Sequence, residues 1–430
     1  MNPLRIGVAG LGTVAGGVVK LLRDEAERLA RQAGRPLQLV QVASRTPKSG
    51  MDLAGAAFST NLRALHQAEV DVVVELIGGE DQALNLVSAA LQRGQHVVTA
   101  NKAIIASHGN ELLEQARGNG VGLGFEAAVA GGIPVLGALR SGLAANRVST
   151  LAGIINGTSN YILTAMGEQG TSFAEALAKA QELGFAEADP TFDVEGIDAA
   201  HKLTILAALA FDTEFRFADV YTEGISHITG EDLEYAKELG YRIKHLAIAR
   251  RTEAGCETRV HPTLVAQNSL LAGVEGVMNA VWIEGDATGP TLYYGAGAGA
   301  LPTASAVVAD LVAIARGDGF DWRVGGEQQA ALPIEQTHSA FYLRIPSLDA
   351  PGVFAEVATI LGQHGISIEG AIQREAAVRG DGGSASWVPI VIVTAPVAEA
   401  AMNSALDLVQ KVPEVVGRIT RIRVAHFAGE

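Results

Sequence analysis

Apolar positions along the first 135 residues follow two alternating rhythms. "LRIGVAG" (4–10) is a short apolar, β-prone run, whereas in "GTVAGGVVKLLRDEAERLA" (12–30) apolar residues return every three or four positions. The first pattern predicts a strand and the second an amphipathic helix. The pair then repeats. "LQLVQVAS" (37–44) reads as a strand, "VDVVVELIGG" (70–79) as a buried strand closing in a Gly-Gly turn, and "DQALNLVSAALQRG" (81–94) as a helix stopped by Gly94. "QHVVTANK" (95–102) is a strand with a polar end, and "VGLGFEAAVAGGIPV" (121–135) a strand entering a Gly-rich loop. Strands alternating with helices pack as one parallel sheet covered on both faces. Residues 1–137 are therefore expected to form a doubly wound α/β domain.

Beyond 135 the rhythm changes. "STLAGIINGTSNYILTAMGEQG" (149–170) reads as strand, polar turn and helix, and "SFAEALAKAQELG" (172–184) as a helix closed by Gly184. In "FAEADPTFDVEGIDAAHKLTILAALAFD", Pro190 and Gly196 break the pattern before a mostly apolar helix begins near 197. "YYGAGAGALPTASAVVADLVAIARG" (293–317) is a Gly-rich loop with a helix starting near Pro302, and 326–338 is a Gly-, Gln- and Pro-containing linker. From 339 to 430 the predicted order is strand 339–345, helix 352–363, strand 366–375, strand 387–394, helix 397–411 and strand 418–425. That βαββαβ order is ferredoxin-like.

With 430 residues, two or three cores are expected. The net charge of −15 would be repelled by a phosphate backbone, so nucleic acid is not an expected partner. Cys256 is the only cysteine, which rules out an internal disulfide or a cysteine metal cluster and suits a reducing, cytoplasmic setting. No apolar run reaches the roughly 18 residues a membrane span needs.

The candidate chemistry starts at "GLGTVAGG". Gly10, Gly12 and Ala15 form a G-x-G-x-x-A dinucleotide fingerprint between strand and helix, which makes the first domain Rossmann-type. Gly10 permits the tight turn and Gly12 the close approach of a pyrophosphate, while Thr13 and Val14 offer free amides at the helix start. After the second strand the chain reads Ser44, Arg45 and Lys48, with no acid for a ribose hydroxyl. Two cations there suit a 2′-phosphate and hence NADP ahead of NAD; a solvated loop is the alternative. Thr99, Asn101, Lys102 and Glu126 fall at the carboxyl ends of predicted strands, where such sheets bind ligands. Asp198 and Lys202 lie four apart on a helix with almost no polar face. As an exposed pair they would contribute only ~0.3–0.5 kcal/mol. Buried in a cleft wall, the lysine has a lowered pKa and can move protons.

The residues around that pair resemble the homoserine dehydrogenase family. Its signature stands here complete as Ala180, Gly184, Asp189-Pro190, Asp193, Gly196, Asp198 and Lys202. "GLGTVAGGVV", "VVVELIGG", "VTANK", "EAAVAGGIP", "GIINGTSNYIL" and "GAGALPTASAVVADL" are similar to family segments in the same order, covering residues 4 to about 325. Ala15 departs from the glycine of many members, and the Ser44-Arg45 region varies among them.

The resemblance implies reversible hydride transfer between L-homoserine and L-aspartate 4-semialdehyde. Lys202 would be the general acid/base, Asp198 would hold substrate and lysine, and Lys102 would stand near cofactor and substrate oxygen. Glu187, Asp193, Gly157 and Thr158 would face the substrate. Glu126, Val129, Gly131 and Ile133 would hold a monovalent cation such as sodium. Residues 138–295 become the α+β catalytic and dimerisation domain, while 296–325 returns to the cofactor domain with Gly299 at its edge. Residues 339–430 resemble an ACT domain. Its Asp349-Ala350-Pro351-Gly352 turn lies where family ligands sit, threonine being the expected effector, although many such modules only dimerise. A homodimer or homotetramer is expected. The rival readings are another semialdehyde or amino-acid dehydrogenase, or a catalytically inactive nucleotide-binding amino-acid sensor.

Overall fold

The structure, a computed structural model, describes residues 2–427 except 49, 319, 321, 323, 328 and 375–386. Strands β1 (Leu4–Ala9), β2 (Leu37–Ala43), β3 (Ala57–Ser59), β4 (Val72–Glu75), β5 (His96–Thr99) and β6 (Leu123–Gly124) pair in parallel in the order β3-β2-β1-β4-β5-β6. The order reverses between β1 and β4, which opens a crevice at the carboxyl ends of the strands. Helices α1 (Thr13–Asp24), α2 (Ala26–Ala33), α3 (Ala64–Gln67), α4 (Asp81–Gln92) and α5 (Lys102–Gly118) connect them. The helix expected over 12–30 is two, broken at Glu25. The strand expected over 70–79 stops at Glu75, because Gly78 and Gly79 turn the chain at positive φ. β3 was not expected, since its half-buried and exposed residues carry no apolar rhythm.

After α6 (Val135–Gly137) the chain builds a second sheet. Its elements are β7 (Val148–Ile154), α7 (Gly157–Gln169), α8 (Phe173–Glu182), α9 (Thr191–Val194), α10 (Ile197–Phe211), β8 (Tyr221–Thr222) and α11 (Gly230–Glu238). Four long antiparallel-paired strands follow: β9 (Tyr241–Arg251), β10 (Cys256–Ala266), β11 (Met278–Gly285) and β12 (Gly289–Ala296). Then α12 (Ala300–Arg316) returns to the first domain and lies on α1. The contact needs a glycine, because a Cβ on Gly17 would sit 2.6 Å from the Ala300 carbonyl. Beyond it, buried Trp322 donates its indole N–H to the Leu123 carbonyl at 2.6 Å.

The C-terminal module runs β13 (His338–Leu348), α13 (Val353–Gln363), β14 (Ile368–Gln373), β15 (Trp387–Thr394), β16 (Val397–Ala398), α14 (Glu399–Val409) and β17 (Thr420–Ala425). Its strand order, β17-β13-β15-β14, is the ferredoxin-like one. Phe341, Leu343, Ile345, Val357, Ile390 and Met402 form its own core under the helices. Residue 375, the end of the strand expected over 366–375, lies outside the described residues.

The module does not stand apart. β17 pairs in parallel with β10, Thr263 opposite Arg423, so one sheet runs β12-β11-β7-β9-β10-β17-β13-β15-β14. Tyr342, Val391 and Ile422 share a core with Tyr235, Ile243 and Leu264 of the middle region. Buried arginines cross the seam: Arg344 reaches Asp232 at 2.6 Å, and Arg423 joins Glu223 at 2.8 Å to Glu399 at 2.5 Å. The segment 326–338, expected as a linker, is pinned to the middle region. The Cys256 amide donates to the Ala330 carbonyl and the Leu332 amide to the Cys256 carbonyl, at 2.9 and 2.8 Å.

Candidate active site

At the β1–α1 turn Gly10 has φ 97°, and a Cβ there would lie 2.5 Å from the Leu76 carbonyl. Only glycine fits. A Cβ on Gly12 would meet nothing within 4 Å, so this glycine opens onto free space, as backbone that must approach a pyrophosphate requires. The space is a groove of about 1420 Å³ lined by Gly10, Leu11, Gly12, Ser44, Arg45, Arg63, His66 and the Gly78-Gly79 turn. Thr13 and Val14 begin α1 beside it, and Gly299 caps α12.

Two expected cofactor residues are placed differently. Lys48 is not among the groove's lining residues; it lines a separate cavity beside α1 with Lys20, Arg23 and Asp52. Arg63, from the stretch after β3, is the cation that joins Arg45 in the groove. Thr99 is fully buried. Its hydroxyl donates to Glu75 Oε2 at 2.5 Å and accepts the Asn101 amide at 2.9 Å. Glu75 Oε1 takes the Ile77 and Gly78 amides. Thr99 therefore braces two loops from behind, together with Glu75, whose carboxyl is pushed up by burial.

Helix α10, which carries the acid–lysine pair, starts after Gly196, whose φ of 85° and tight packing on His245 and Thr222 exclude a side chain. Asp198 stands in its first turn, 3% exposed, with Lys202 one turn on. Asp198 Oδ2 meets Lys202 Nζ at 2.7 Å, and Oδ1 meets Lys102 Nζ at 2.6 Å. Lys102 is the first residue of α5, and the Asn101 side chain caps that helix. Lys202 also donates to the Ile155 carbonyl at 2.7 Å. From the β7–α7 turn, buried Asn156 donates to Asp198 Oδ2 and Asp193 Oδ1 at 2.8 and 2.7 Å. Three distant segments thus converge on one carboxylate.

Glu187 is exposed at the rim, and its charge acts on Lys102. Thr158 donates to the Phe185 carbonyl at 2.6 Å and so holds the loop that carries Glu187. Gly157 lets α7 start close to the Val277 carbonyl, 2.9 Å from where a Cβ would stand. Half-exposed Phe192 lies over Lys102 at the mouth.

The charges sort the two lysines. Burial opposes ionisation of Asp198, but the ammonium groups of Lys202 and Lys102 outweigh it and hold the carboxyl well below the usual range. At Lys202 burial outweighs the attraction of Asp198, and the pKa falls. At Lys102 burial is overcome by Asp198, Asp193 and Glu187, and the pKa rises. One lysine is set to give up its proton and the other to keep it, the separation expected of an acid/base and an electrostatic partner.

In the 126–137 loop, Glu126 accepts the Leu136 and Gly137 amides at 2.9 and 2.7 Å. Ala130 and Gly131 both have positive φ. Asp310 accepts the Glu126 amide, and burial with the Glu126 charge pushes its carboxyl up to about 8. Among the described residues no group of three or more His, Cys, Asp or Glu could hold a metal. A cation here would depend on Glu126 and the carbonyls of Val129, Gly131 and Ile133, and two adjoining buried carboxyls fit such a charge.

A dinucleotide groove at the carboxyl ends of the parallel sheet, in a chain that also buries an acid–lysine pair, is the architecture of a nicotinamide-dependent dehydrogenase. Similarity to known proteins makes the assignment particular. Residues 10–126 match the family model for the homoserine dehydrogenase NAD binding domain, 134–312 the homoserine dehydrogenase model and 342–413 the ACT domain. The chain belongs to the homoserine dehydrogenase family. It is 53% identical to the homoserine dehydrogenase of Pseudomonas aeruginosa, over 99% of this chain and 100% of that one. The crystal structure of a homoserine dehydrogenase from Thiobacillus denitrificans superposes with a TM-score of 0.92 at 48% identity, over 99% of both chains. That from S. aureus at pH 8.5 does so with 0.76 at 31%, again over 99% of both. These likenesses, with an intact acid–lysine pair, set aside the inactive sensor.

Proposed function

We propose that the chain interconverts L-homoserine and L-aspartate 4-semialdehyde with NADP in preference to NAD. The observation that carries this reading is Asp198 held between Lys202 and Lys102, with Asp193 and Glu187 alongside. In oxidation, neutral Lys202 takes the proton from the C4 hydroxyl, and it returns the proton in reduction. Protonated Lys102 donates to the same oxygen and steadies the charge that develops there. Glu187 and Asp193 take the substrate amine. The nicotinamide, when bound, supplies or accepts the hydride. Arg45 and Arg63 suit a 2′-phosphate. Glu126 with the carbonyls of Val129, Gly131 and Ile133 would hold a monovalent cation that stiffens the loop beneath the cofactor.

Threonine is the proposed effector of the C-terminal module, at the turn where Gly352 opens α13 with φ 98°. A homodimer or homotetramer in the cytoplasm completes the reading. Among the described residues no helix is long and apolar enough to cross a membrane. The test is reduced-nicotinamide absorbance with homoserine and each cofactor, with and without threonine. Homoserine-dependent turnover, with the higher kcat/KM for NADP, is expected. Absence of turnover with both cofactors would overturn the reading.

A further inference from the structure

Asn156 lies outside the family signature and touches two of the site's three acids, Asp193 and Asp198. It is 5% exposed, at the turn between β7 and α7. Its Oδ1 accepts the Ser159 amide at 2.7 Å and so caps α7. Its Nδ2 donates one hydrogen to Asp193 Oδ1 at 2.7 Å and the other to Asp198 Oδ2 at 2.8 Å. These partners fix the amide's orientation, because the flipped form would set its oxygen against two carboxylates. Burial raises the pKa of Asp193, and the charge of Asp198 raises it further. A neutral double donor is the group that can hold two such carboxylates together without adding a charge. Asp198 Oδ2, which takes one of these hydrogens, is the same oxygen that meets Lys202. A serine or threonine cap at this position would satisfy α7 equally well, so the cap alone does not call for an amide.

We propose that Asn156 is a positioning residue of the reaction: it sets the spacing of Asp193 and Asp198, and through Asp198 the place of Lys202, by sharing one NH2 group between the two carboxylates. This rests on the function proposed above and adds a residue to it. Lys202 is faced by Asp198 of its own helix, with His201 beside it in the chain, by Lys102 from α5 and by Asp193 from α9, while Glu187 acts on Lys102. A carboxylate in place of the Asn156 amide adds a negative charge to that set. It favours protonated Lys202 and moves the ascending limb of the oxidation profile, which follows loss of the Lys202 proton, to higher pH.

The experiment compares wild type, Asn156→Asp and Asn156→Ser in homoserine oxidation across pH, with thermal melting and NADP binding as controls. Both substitutions keep a cap for α7, so NADP binding should stay near wild type; the melt should stay there for Asn156→Ser and fall for Asn156→Asp, which sets a third buried carboxylate against Asp193 and Asp198. Both should lower kcat on the order of 10- to 100-fold, as loss of a hydrogen bond to a charged group predicts. Only Asn156→Asp should also shift the limb to higher pH. Wild-type kcat in Asn156→Ser, or an unshifted profile in Asn156→Asp, would reduce Asn156 to a helix cap and overturn the inference. If Asn156→Asp does not fold, the kcat of Asn156→Ser decides alone. An inactive wild type would instead bring down the proposed function, and this inference with it.

Discussion

Replacing Lys202 with methionine tests the assignment of the proton carrier most directly. Methionine keeps much of the lysine stem but cannot carry a proton. The surroundings limit the structural damage. Asp198 would keep Lys102 at 2.6 Å and Asn156 at 2.8 Å, so its charge is not left unpaired. The Ile155 carbonyl loses the donor at 2.7 Å, which costs ~1–3 kcal/mol. Removal of a buried ammonium offsets this, since desolvating an ion costs several kcal/mol. Stability should therefore change by no more than ~2 kcal/mol. Catalysis loses its general acid/base, worth ~10²–10⁴-fold, or ~3–5.5 kcal/mol of barrier. Steady-state kcat in both directions, NADP affinity by fluorescence titration and a thermal melt give the three readings. In the wild type, oxidation should rise with pH and reduction fall, because the lowered Lys202 pKa brings its neutral form toward working pH. Lys202→Met should lose both limbs with its turnover. A kcat near wild type, with the limbs intact, would refute the lysine mechanism.

Arg45→Ala and Arg63→Ala should each raise KM for NADP well beyond any change for NAD, whereas Lys48→Ala, on the α1 side, should leave both cofactors alike; kinetics with both cofactors decide. Lys244 is 3% exposed and its pKa falls from 10.5 to about 8 through burial. Because the folded pKa lies below the unfolded one, its penalty is full below about pH 8 and fades toward 10.5. Lys244→Met should add about 1–3 kcal/mol at neutral pH, and less at about pH 10, in urea unfolding. The Val274 carbonyl that Lys244 serves keeps Asn160 as a donor. Arg423→Leu leaves Glu399 and Glu223 short of a buried partner and should cost ~3–5 kcal/mol in the same assay.

Much of the site was legible because its chemistry lies along the chain. Gly10 and Gly12 are set by a local turn, and Asp198 with Lys202 by one helical turn on an apolar helix. Arg63, Glu75 and Asn156 were not legible. Each becomes functional through groups brought close only by folding, as when Asn156 meets Asp193 and Asp198. Lys48 went the other way: two cations close in sequence part to opposite sides of the loop. The strands β9 to β12 gave little signal because much of β9 is buried on both faces, with Lys244 and His245 interrupting its apolar run. Nothing local in "RIRV" announces that β17 completes a sheet with β10.

That pairing also sets a clock on synthesis. The outer edge of β10 at Thr263–Val265 is satisfied only by residues 423–425, made after the whole of 267–419. At ~5–20 residues per second, that interval lasts on the order of 10–30 s. Until it ends, Leu264 and the unpaired edge of β10 are open to other chains or to a chaperone. A ribosome that stalls between β12 and β17 would release a polypeptide with every catalytic residue in hand and an unfinished sheet. Such a fragment carries the open edge of β10 for as long as it lasts, and with it a site for strand addition by other chains.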